Sequence, residues 1–247
     1  MISFFTKKYF LVDYLKNFVD IHNHILPGID DGPESVEESV QLLKGFGELG
    51  IKSFIATPHI MPDYYDNNPE TIRGALDLLR GELARQGMLH IAIEASAEYM
   101  IDHHFETLLD QGEGIIPMRK QYVLVEMSYL QPPLNFETAI KKAAFQSFTP
   151  ILAHPERYTF LHKNTGQYRR YKEMGVLFQL NMLSLSTYYG KTVQRIAHKL
   201  LEKNLIEFIA SDIHNIRQLK RVKEIQIERR TWKQLLPVLE QTTRIFY

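Results

Sequence analysis

Two histidines one residue apart, followed by two adjacent aspartates, are the residues of this sequence best suited to chemistry. They lie in the segment VDIHNHILPGIDDG, residues 19–32. In a β-strand the side chains at positions i and i+2 point to the same side, so His22 and His24 form a ready pair of metal ligands. Asp20 lies two residues earlier, where its carboxylate could orient a histidine as a supporting group.

The same residue types recur where later apolar segments end. Asp212 and His214 form a second i, i+2 pair in ASDIHN. Single histidines or carboxylates close most of the other segments, and these residues are His59, Glu98, Glu126 and His154. One such residue alone is weak evidence, because strand ends often carry polar side chains, but the repetition favours a metal site. Glu94, in the same segment as Glu98, is the competing candidate there.

The apolar segments themselves predict an α/β fold. Seven runs of branched and aromatic residues alternate with amphipathic stretches; they are FVDIHNHI, IKSFIATP, HIAIEASAE, YVLVEMS, TPILAHP, VLFQLNM and LIEFIASD. Connections of this length indicate parallel strands joined by right-handed crossovers. A barrel of the TIM type and an open doubly wound sheet both fit. In a barrel the carboxyl ends of the strands meet at one face, which would bring the candidate ligands together.

Helix signals lie between these runs. Ser35 and Glu38 have the spacing of a capping box, and Asn68 precedes Pro69 at the start of a second helix. The histidines that fall in predicted helices or loops are expected to be solvated or packed, and they are His90, His103, His104, His162 and His198.

Composition narrows the function. The chain has 247 residues, enough for one large domain, and 29 basic against 29 acidic residues give no charge excess that would favour nucleic acid. The absence of cysteine excludes disulfides, thiolate ligands and a cysteine nucleophile, and fits a reducing compartment. Charged residues interrupt every apolar run in residues 1–17, so we expect no stable membrane insertion. We expect this segment to form a helix packed on the domain, and the alternative is an amphipathic segment that touches a membrane or a partner.

Ligand chemistry limits the choice of ion. Imidazole and carboxylate without thiolate suit manganese, iron, zinc or magnesium, and the imidazole-rich mixture disfavours magnesium alone. One ion takes about four to six ligands. The candidate ligands outnumber those that one ion can bind, so they indicate two or three ions.

Taken in order and spacing, six motifs resemble the PHP (polymerase and histidinol phosphatase) superfamily: DIHNHILPGIDDG, ATPH, AEY, VEMS, AHPERY and ASDIHN. Within it they look most like the metal-dependent protein-tyrosine phosphatases of bacterial capsule and exopolysaccharide gene clusters. The resemblance covers residue 19 to the C-terminus. It implies a distorted TIM-like (β/α)7 barrel, with residues 1–247 as one domain and residues 1–17 as an N-terminal extension.

The resemblance also implies three divalent ions, usually manganese or iron, with zinc or magnesium as alternatives. Carried over by position, His22, His24, Glu98 and Asp212 would hold the first ion. The second would share Glu98 and add Glu126 and His154. The third would use Asp31, His59 and His214.

Phosphate recognition follows the family at one position and departs from it at another. Arg157 in HPERY matches the family's substrate-phosphate arginine. A second arginine commonly lies seven residues after the strand-seven aspartate, where this chain has Leu219. Arg217, Lys220 or Arg221 are then the candidates for that contact.

The function implied is hydrolysis of phosphotyrosine in a protein, through a hydroxide shared by two ions, with Asp212 or a neighbouring histidine as the acid. The expected substrate is a tyrosine kinase that controls polysaccharide chain length, which places this protein in the cytoplasm, peripheral at the inner membrane through its substrate. A histidinol-phosphate or other small phosphate-monoester phosphatase, a nuclease and a non-catalytic metal-bound interaction protein are the alternatives.

Four tyrosines lie in the segments expected near the mouth of the site, and they are Tyr64, Tyr65, Tyr99 and Tyr158. They either pack against a phenyl ring of the substrate or cover the rim of the barrel.

Overall fold

Strands and helices alternate along the computed structural model, which describes residues 8–247. The strands of this range are β1 Lys8–Phe10, β2 Val19–Asp20, β3 Ser53–Ala56, β4 His59–Ile60, β5 Ala92–Ala95, β6 Glu98–Met100, β7 Tyr122–Glu126, β8 Thr149–Ala153, β9 Leu177–Asn181, β10 Phe208–Ala210 and β11 Gln226–Glu228. The α-helices are α1 Val36–Glu48, α2 Pro69–Arg85, α3 His103–Gln111, α4 Phe136–Phe145, α5 Thr165–Glu173, α6 Lys191–Glu202, α7 Ile216–Val222 and α8 Arg229–Phe246.

Parallel strands follow one another in chain order around a distorted barrel. β2, β3 and β5 form one parallel sheet, and β4, β6, β7, β8, β9 and β10 form another. β3 continues into β4, and β5 into β6, so the second and third predicted strands are each broken in two and belong to both sheets. A parallel bridge from Asn23 to Ile213 brings the end of β2 beside the end of β10. The predicted α/β, TIM-like class is confirmed.

Local signals explain where two helices begin. The Asn68 side chain accepts from the backbone N–H of Thr71 at 3.0 Å, and the Thr71 hydroxyl lies 3.0 Å from the Asn68 N–H, which completes a capping box. Ser35 caps α1 by accepting from the Glu38 N–H at 3.3 Å. The predicted box at this position is only half formed, because the Glu38 carboxylate accepts from the N–H of Glu34 instead.

The two faces of the strands point to two apolar regions. Val123 and Val125 of β7 pack in the layer between strands and helices, whereas Leu124 points to the barrel interior. Glu126, two residues after Leu124, therefore points inward at the carboxyl end of the strand. At the other end, the Phe246 ring of α8 packs against Tyr122 and Phe208, the first residues of β7 and β10. The apolar plug at that end leaves the carboxyl end for a polar site.

Part of the predicted N-terminal extension lies outside the described residues, because residues 1–7 are not among them. For the remainder the predicted helix is wrong. β1 pairs antiparallel with β11, and a short 3-10 helix, Leu11–Tyr14, follows it. Leu11 and Leu15 are fully buried in the core, which ties this segment to the domain. Among residues 8–247, no helix is both long enough and apolar enough to cross a bilayer.

Truncating a buried phenylalanine should show how much the packing of α1 on the barrel contributes to stability. The Phe46 ring is fully buried and meets the Phe54 ring of β3 edge-on at 5.1 Å between centroids. We expect Phe46→Ala to lower the free energy of unfolding in urea by about 3–5 kcal/mol. Phe145→Ala, at an 88% exposed phenylalanine that ends α4, is the matched control and should change it little. Equal effects would contradict this description of the core.

Candidate metal centre

All the residues predicted as metal ligands meet at the carboxyl end of the barrel. They form four overlapping groups whose ligand atoms lie within 4.8 Å of one another. The groups are His24, Asp31, His59 and His214; His22, His24 and Asp212; His22, Glu98 and His154; and His59, Glu98 and Glu126. Apart from the half-exposed Asp31 and the partly exposed His214, these side chains are buried. We call this set of nine residues the ligand cluster.

The deepest part of the ligand cluster is built on the pair from the loop after β2. His22 Nε2 lies 3.2 Å from Glu98 Oε2 and 3.3 Å from Asp212 Oδ1. His24 Nε2 approaches the same two carboxylate oxygens, at 3.6 and 3.5 Å. This arrangement brings together the four residues assigned by resemblance to the first ion.

The outer part differs in one detail from the arrangement that the resemblance implies. Asp31 Oδ1 lies 3.5 Å from His59 Nε2 and 3.3 Å from His214 Nε2, which gathers the third set. Glu98 Oε1 lies 3.3 Å from His154 Nε2, as the second set requires. The Glu126 carboxylate, however, lies 3.0 Å from His59 Nδ1, so it bridges the second and third sets.

Three buried atoms of the ligand cluster make no contact with hydrogen-bond geometry among the described residues, although charged neighbours lie 3.0–3.3 Å away: His59 Nδ1, Glu98 Oε1 and Glu126 Oε1. A buried carboxylate oxygen without a partner is costly, and a divalent cation would compensate it. The side chains present therefore fit the divalent ions that the sequence predicts.

Charges within the ligand cluster act strongly on one another. Burial and the neighbouring Glu98 carboxylate raise the pKa of Glu126. Burial would also raise the pKa of Asp212, but the imidazoles of His22 and His24 outweigh it and hold that pKa well below its usual range. Burial and the nearby Arg157 guanidinium lower the pKa of His154 to about 4. His154 is thus a neutral imidazole at neutral pH, the form that binds a metal.

A different aspartate from the predicted one orients a histidine. Asp30 Oδ2 accepts from His24 Nδ1 at 2.7 Å, which leaves Nε2 of that ring facing the carboxylates. Asp20 instead accepts from the Ser211 N–H at 2.9 Å and from the Ser211 hydroxyl at 2.5 Å. Burial raises the pKa of Asp20 to about 6. Asp20 therefore supports the ligand cluster by fixing the backbone just before Asp212, and not by holding a histidine.

β9 contributes no ligand, but its two amide side chains hold ligands from other strands. Gln179 Oε1 accepts from His22 Nδ1 at 2.9 Å, so Nε2 of His22 is the nitrogen left for a metal. Asn181 Nδ2 donates to Asp212 Oδ2 at 2.7 Å. Both amides are fully buried. The strand that lacks a ligand therefore orients the ligands beside it.

Two ligands have a strained backbone. His154 has φ of 35° and Asp212 has φ of 51°, in the left-handed region that side chains other than glycine rarely adopt. Each costs on the order of 1–3 kcal/mol and persists only where the surroundings impose it. Both residues directly follow or nearly follow a strand, and the turn aims their side chains into the barrel mouth.

A pocket of about 600 Å³ opens over the ligand cluster, and Arg157 lines it. Its Nη1 donates to Asp212 Oδ2 at 2.6 Å, and its guanidinium carbon lies 4.3 Å from the centroid of the Tyr189 ring and 4.9 Å from that of Tyr129. The guanidinium is held from three sides, and it faces the same space as the ligand atoms.

The candidates for the second phosphate contact lie elsewhere. Arg217 lines a neighbouring cavity of about 360 Å³ that shares only His214 with the pocket over the ligand cluster. Arg221 forms an ion pair with Glu224 at 2.9 Å on the surface of α7. Lys220 is exposed on the same helix, and Leu219 is buried. Neither Arg217 nor Arg221 lines the pocket over the ligand cluster, and phosphate binding by either arginine stays a prediction.

Comparison with known proteins gives the family. Residues 18–234 match the family described as capsular polysaccharide synthesis, CpsB/CapC. The chain belongs to this family. It is 31% identical over 200 residues to the tyrosine-protein phosphatase YwqE of Bacillus subtilis, a match that covers 81% of this chain and 78% of that protein.

Solved structures agree with the CpsB/CapC assignment. The fold matches that of the unique metal-dependent tyrosine phosphatases YwqE from Bacillus subtilis and CpsB from Streptococcus pneumoniae, with a TM-score of 0.77, 28% identity and coverage of 92% of this chain and 90% of that chain. Histidinol phosphate phosphatase from Lactococcus lactis, solved with zinc, L-histidinol and phosphate, matches with a TM-score of 0.53 at 15% identity over 92% of this chain and 94% of that chain. At that identity the likeness shows the fold alone, and it agrees with a PHP-like barrel for this CpsB/CapC member.

Some contributors to the site of this CpsB/CapC chain were not found from the sequence. Gln179 and Asn181 stand at i and i+2 at the end of β9, the same spacing as the ligand pairs, so a signal was present in polar residues that do not bind metal. Asp30 adjoins Asp31, and nothing in the sequence indicates which of the two aspartates orients a histidine and which lies among the ligands. Tyr129 and Tyr189 contact Arg157 only through the folding of distant loops.

Residues set aside on the sequence also stay apart from the site in the structure. Glu94 is exposed and pairs with Arg119 at 2.9 Å, whereas its competitor Glu98 is buried among the ligands. His90, His103 and His104 are exposed. Within residues 8–247, none of these three histidines, nor those at 162 and 198, belongs to the ligand cluster.

Removing the amide that holds His22 should weaken metal binding without removing a ligand. In Gln179→Leu the His22 Nδ1–H loses its acceptor, and we expect the affinity for manganese to fall about 10- to 100-fold. Metal titration of the purified protein measures this. Gln226→Leu, at an exposed glutamine on β11, is the matched control and should bind as the parent does. Unchanged affinity in Gln179→Leu would contradict the orienting role.

Proposed function

We propose that this protein is a metal-dependent protein-tyrosine phosphatase. The observation that carries the proposal is the ligand cluster on the floor of a pocket whose lining also includes the guanidinium of Arg157. A phosphoryl group needs positive charge on several oxygens at once, and this pocket combines cation ligands with a planar donor. The tyrosine phosphatases YwqE and CpsB share the fold and support this substrate.

We propose three divalent ions, manganese or iron, as the occupants of the ligand cluster. Nine side chains, with Glu98 shared between groups, are enough to hold them. When bound, such ions supply Lewis acidity and lower the pKa of water, which is the chemistry that an attack on phosphorus requires. The chain has no cysteine, so a phosphocysteine route is excluded, and we propose water as the nucleophile.

Arg157 is placed to bind the phosphoryl group. One guanidinium nitrogen is fixed by Asp212 at 2.6 Å, and the remaining N–H groups of the planar fork are left to donate to phosphate oxygens. The Tyr189 ring beneath it restrains the side chain. Arg157 therefore offers its donors in one orientation, before the substrate arrives.

Asp212 is better suited to be a ligand than an acid. Its Oδ1 faces His22 and His24, and its Oδ2 accepts from Arg157 and Asn181, so neither oxygen is free to carry a proton to the leaving group. A phenolate leaving group, with a pKa of about 10, needs less protonation than an alkoxide. The proposed reaction therefore does not depend on Asp212 as the acid that the sequence suggests.

We propose a tyrosine-phosphorylated kinase of polysaccharide assembly as the protein substrate. The description of the family as capsular polysaccharide synthesis supports this partner. We place the enzyme in the cytoplasm, where it would meet the inner membrane through that substrate. The lack of cysteine fits a reducing compartment.

The activity is tested by measuring metal content and phosphotyrosyl-peptide hydrolysis on the same purified sample. We expect two or more ions per chain, turnover that a chelator abolishes, and recovery on adding manganese. His22→Ala/His24→Ala should lose both metal and turnover, because it removes the two imidazoles that share Glu98 and Asp212. His103→Ala/His104→Ala, an exposed pair at the start of α3, is the matched control and should retain both.

Other outcomes of that measurement separate the alternatives. Bound metal with turnover of histidinol phosphate but not of the phosphotyrosyl peptide would replace the proposal by a small-molecule phosphatase. Bound metal without turnover of either substrate would favour a binding protein. A chain that takes up no metal under any loading condition would contradict the site itself.

Replacing Arg157 should affect substrate binding more than metal binding. In Arg157→Ala we expect kcat/KM for the phosphotyrosyl peptide to fall about 10²- to 10³-fold, mainly through a higher KM, because the phosphate loses its planar donor. Arg157→Lys should recover only part of the loss, since an ammonium lacks the fork. Metal content should stay unchanged. Arg221→Ala is the control, and a loss equal to that of Arg157→Ala would refute the placement of α7 outside the site.

A further inference from the structure

We propose that Tyr65 and Tyr129 form an aromatic pair that binds the phenyl ring of the substrate and selects aryl phosphates over alkyl phosphates. The inference rests on the proposed function, which it extends from the phosphoryl group to the leaving group. It assigns substrate choice to two loops outside the ligand cluster.

Tyr65 covers the outer face of one ligand. Its ring stacks on that of His59 at 5.3 Å between centroids and 15° between planes. The loop is held by two backbone bonds, from the Tyr65 N–H to the Met61 carbonyl at 2.7 Å and from the Met61 N–H to the Tyr65 carbonyl at 3.1 Å. Tyr64 and Tyr65 both line the pocket, but Tyr64 is 77% exposed, whereas Tyr65 is seated on a ring of the ligand cluster. A rigid ring is thus presented beside the metal site.

Tyr129 has the same relation to a second ligand. Its ring stacks on that of His154 at 5.7 Å and 24°, and on the buried Tyr158 ring at 5.4 Å. It also lines the pocket and remains 40% exposed. An aromatic residue on a loop that keeps so much accessible surface at a pocket is available to a ligand.

The two ligands beneath the aromatic pair share one carboxylate. His59 Nδ1 and His154 Nε2 each lie 3.3 Å from an oxygen of Glu98, so the pair stands over the two sides of this part of the ligand cluster. The lining of the pocket also includes the apolar residues Met61, Pro62, Met100 and Leu130. In an aryl phosphate the ring is bonded directly to the ester oxygen, so a phosphate at the ligand cluster would hold the ring close to it, within this pocket.

Two other tyrosines expected near the mouth are excluded from this role. Tyr99 and Tyr158 are fully buried, and their hydroxyls accept from the backbone N–H groups of Ile116 and Met127. They belong to the core beneath the pocket. Of the tyrosines that line the pocket, Tyr65 and Tyr129 stack on rings of the ligand cluster, so we assign recognition of a ring to these two; Tyr129 was not selected from the sequence.

Tyr129 also contacts Arg157, so the experiment must separate ring binding from phosphate binding. Phenylphosphonate and methylphosphonate carry the same charged group, are not hydrolysed, and differ in the ring. Their dissociation constants are measured by calorimetry on the manganese-loaded protein, which requires no turnover. A protein that lacks the proposed phosphatase activity can therefore still show whether the aromatic pair binds a phenyl ring.

We expect the parent protein to bind phenylphosphonate at least about tenfold more tightly than methylphosphonate. Tyr65→Leu and Tyr129→Leu should each reduce this ratio about two- to tenfold, the range of one aromatic contact. Tyr65→Phe and Tyr129→Phe keep the ring and should keep the ratio. Tyr129→Leu should additionally weaken the binding of both phosphonates, because Tyr129 also contacts Arg157. Tyr247→Leu, at an 82% exposed tyrosine far from the pocket, is the matched control.

Two results would overturn the inference. One is equal binding of the two phosphonates by the parent protein. The other is a Tyr65→Leu variant that weakens both phosphonates by the same factor, which would show that Tyr65 only supports His59. Should a leucine variant fail to fold or to bind metal, the parent decides alone: binding of cyclohexylphosphonate as tightly as phenylphosphonate would refute recognition of an aromatic ring.

Discussion

Burial of three carboxylates at one end of an apolar barrel is the constraint on which the rest of this structure depends. Glu98, Glu126 and Asp212 are nearly inaccessible and share histidine neighbours at 3.0–3.5 Å. The ligand oxygens of Glu98 and Glu126 lie within 4.8 Å of each other, and like charges this close raise one another's pKa unless cations intervene; burial and Glu98 do raise the pKa of Glu126. The fold tolerates this only because imidazoles, a guanidinium and, when bound, divalent ions supply the opposite charge.

Much of the surrounding architecture serves to hold these charges in place. Asp30, in the loop after β2, and Gln179 and Asn181, both on β9, hold the side chains of His24, His22 and Asp212 in one orientation before an ion binds. The left-handed backbone at His154 and Asp212 adds strain that the packed barrel beneath must offset. Since the apolar plug around Phe246 fills the opposite end, the polar site and the stabilising core are separated along the barrel axis.

The candidate ligands could be selected from the sequence because abrupt changes from apolar to polar residues mark the ends of strands. The histidine and carboxylate side chains that follow β2 and β10 are gathered in the structure, because the barrel brings the carboxyl ends of its strands together. What the sequence could not give was the break of the second and third strands into two sheets, since this depends on pairing partners. The sequence also did not give the contact of Asp20 with Ser211, because that contact joins residues far apart in the chain.

The ligand cluster and the aromatic pair belong to different parts of the fold. The ligand cluster is built from residues at the ends of strands, whose positions the barrel fixes. We assign contact with the leaving group to the loops after β4 and β7, whose tyrosines Tyr65 and Tyr129 line the pocket and do not belong to the ligand cluster. Loops can change without disturbing the core, whereas a ligand cannot change without exposing a buried charge. We therefore assign substrate choice to the loops that carry Tyr65 and Tyr129, and the hydrolysis itself to the ligand cluster beneath them.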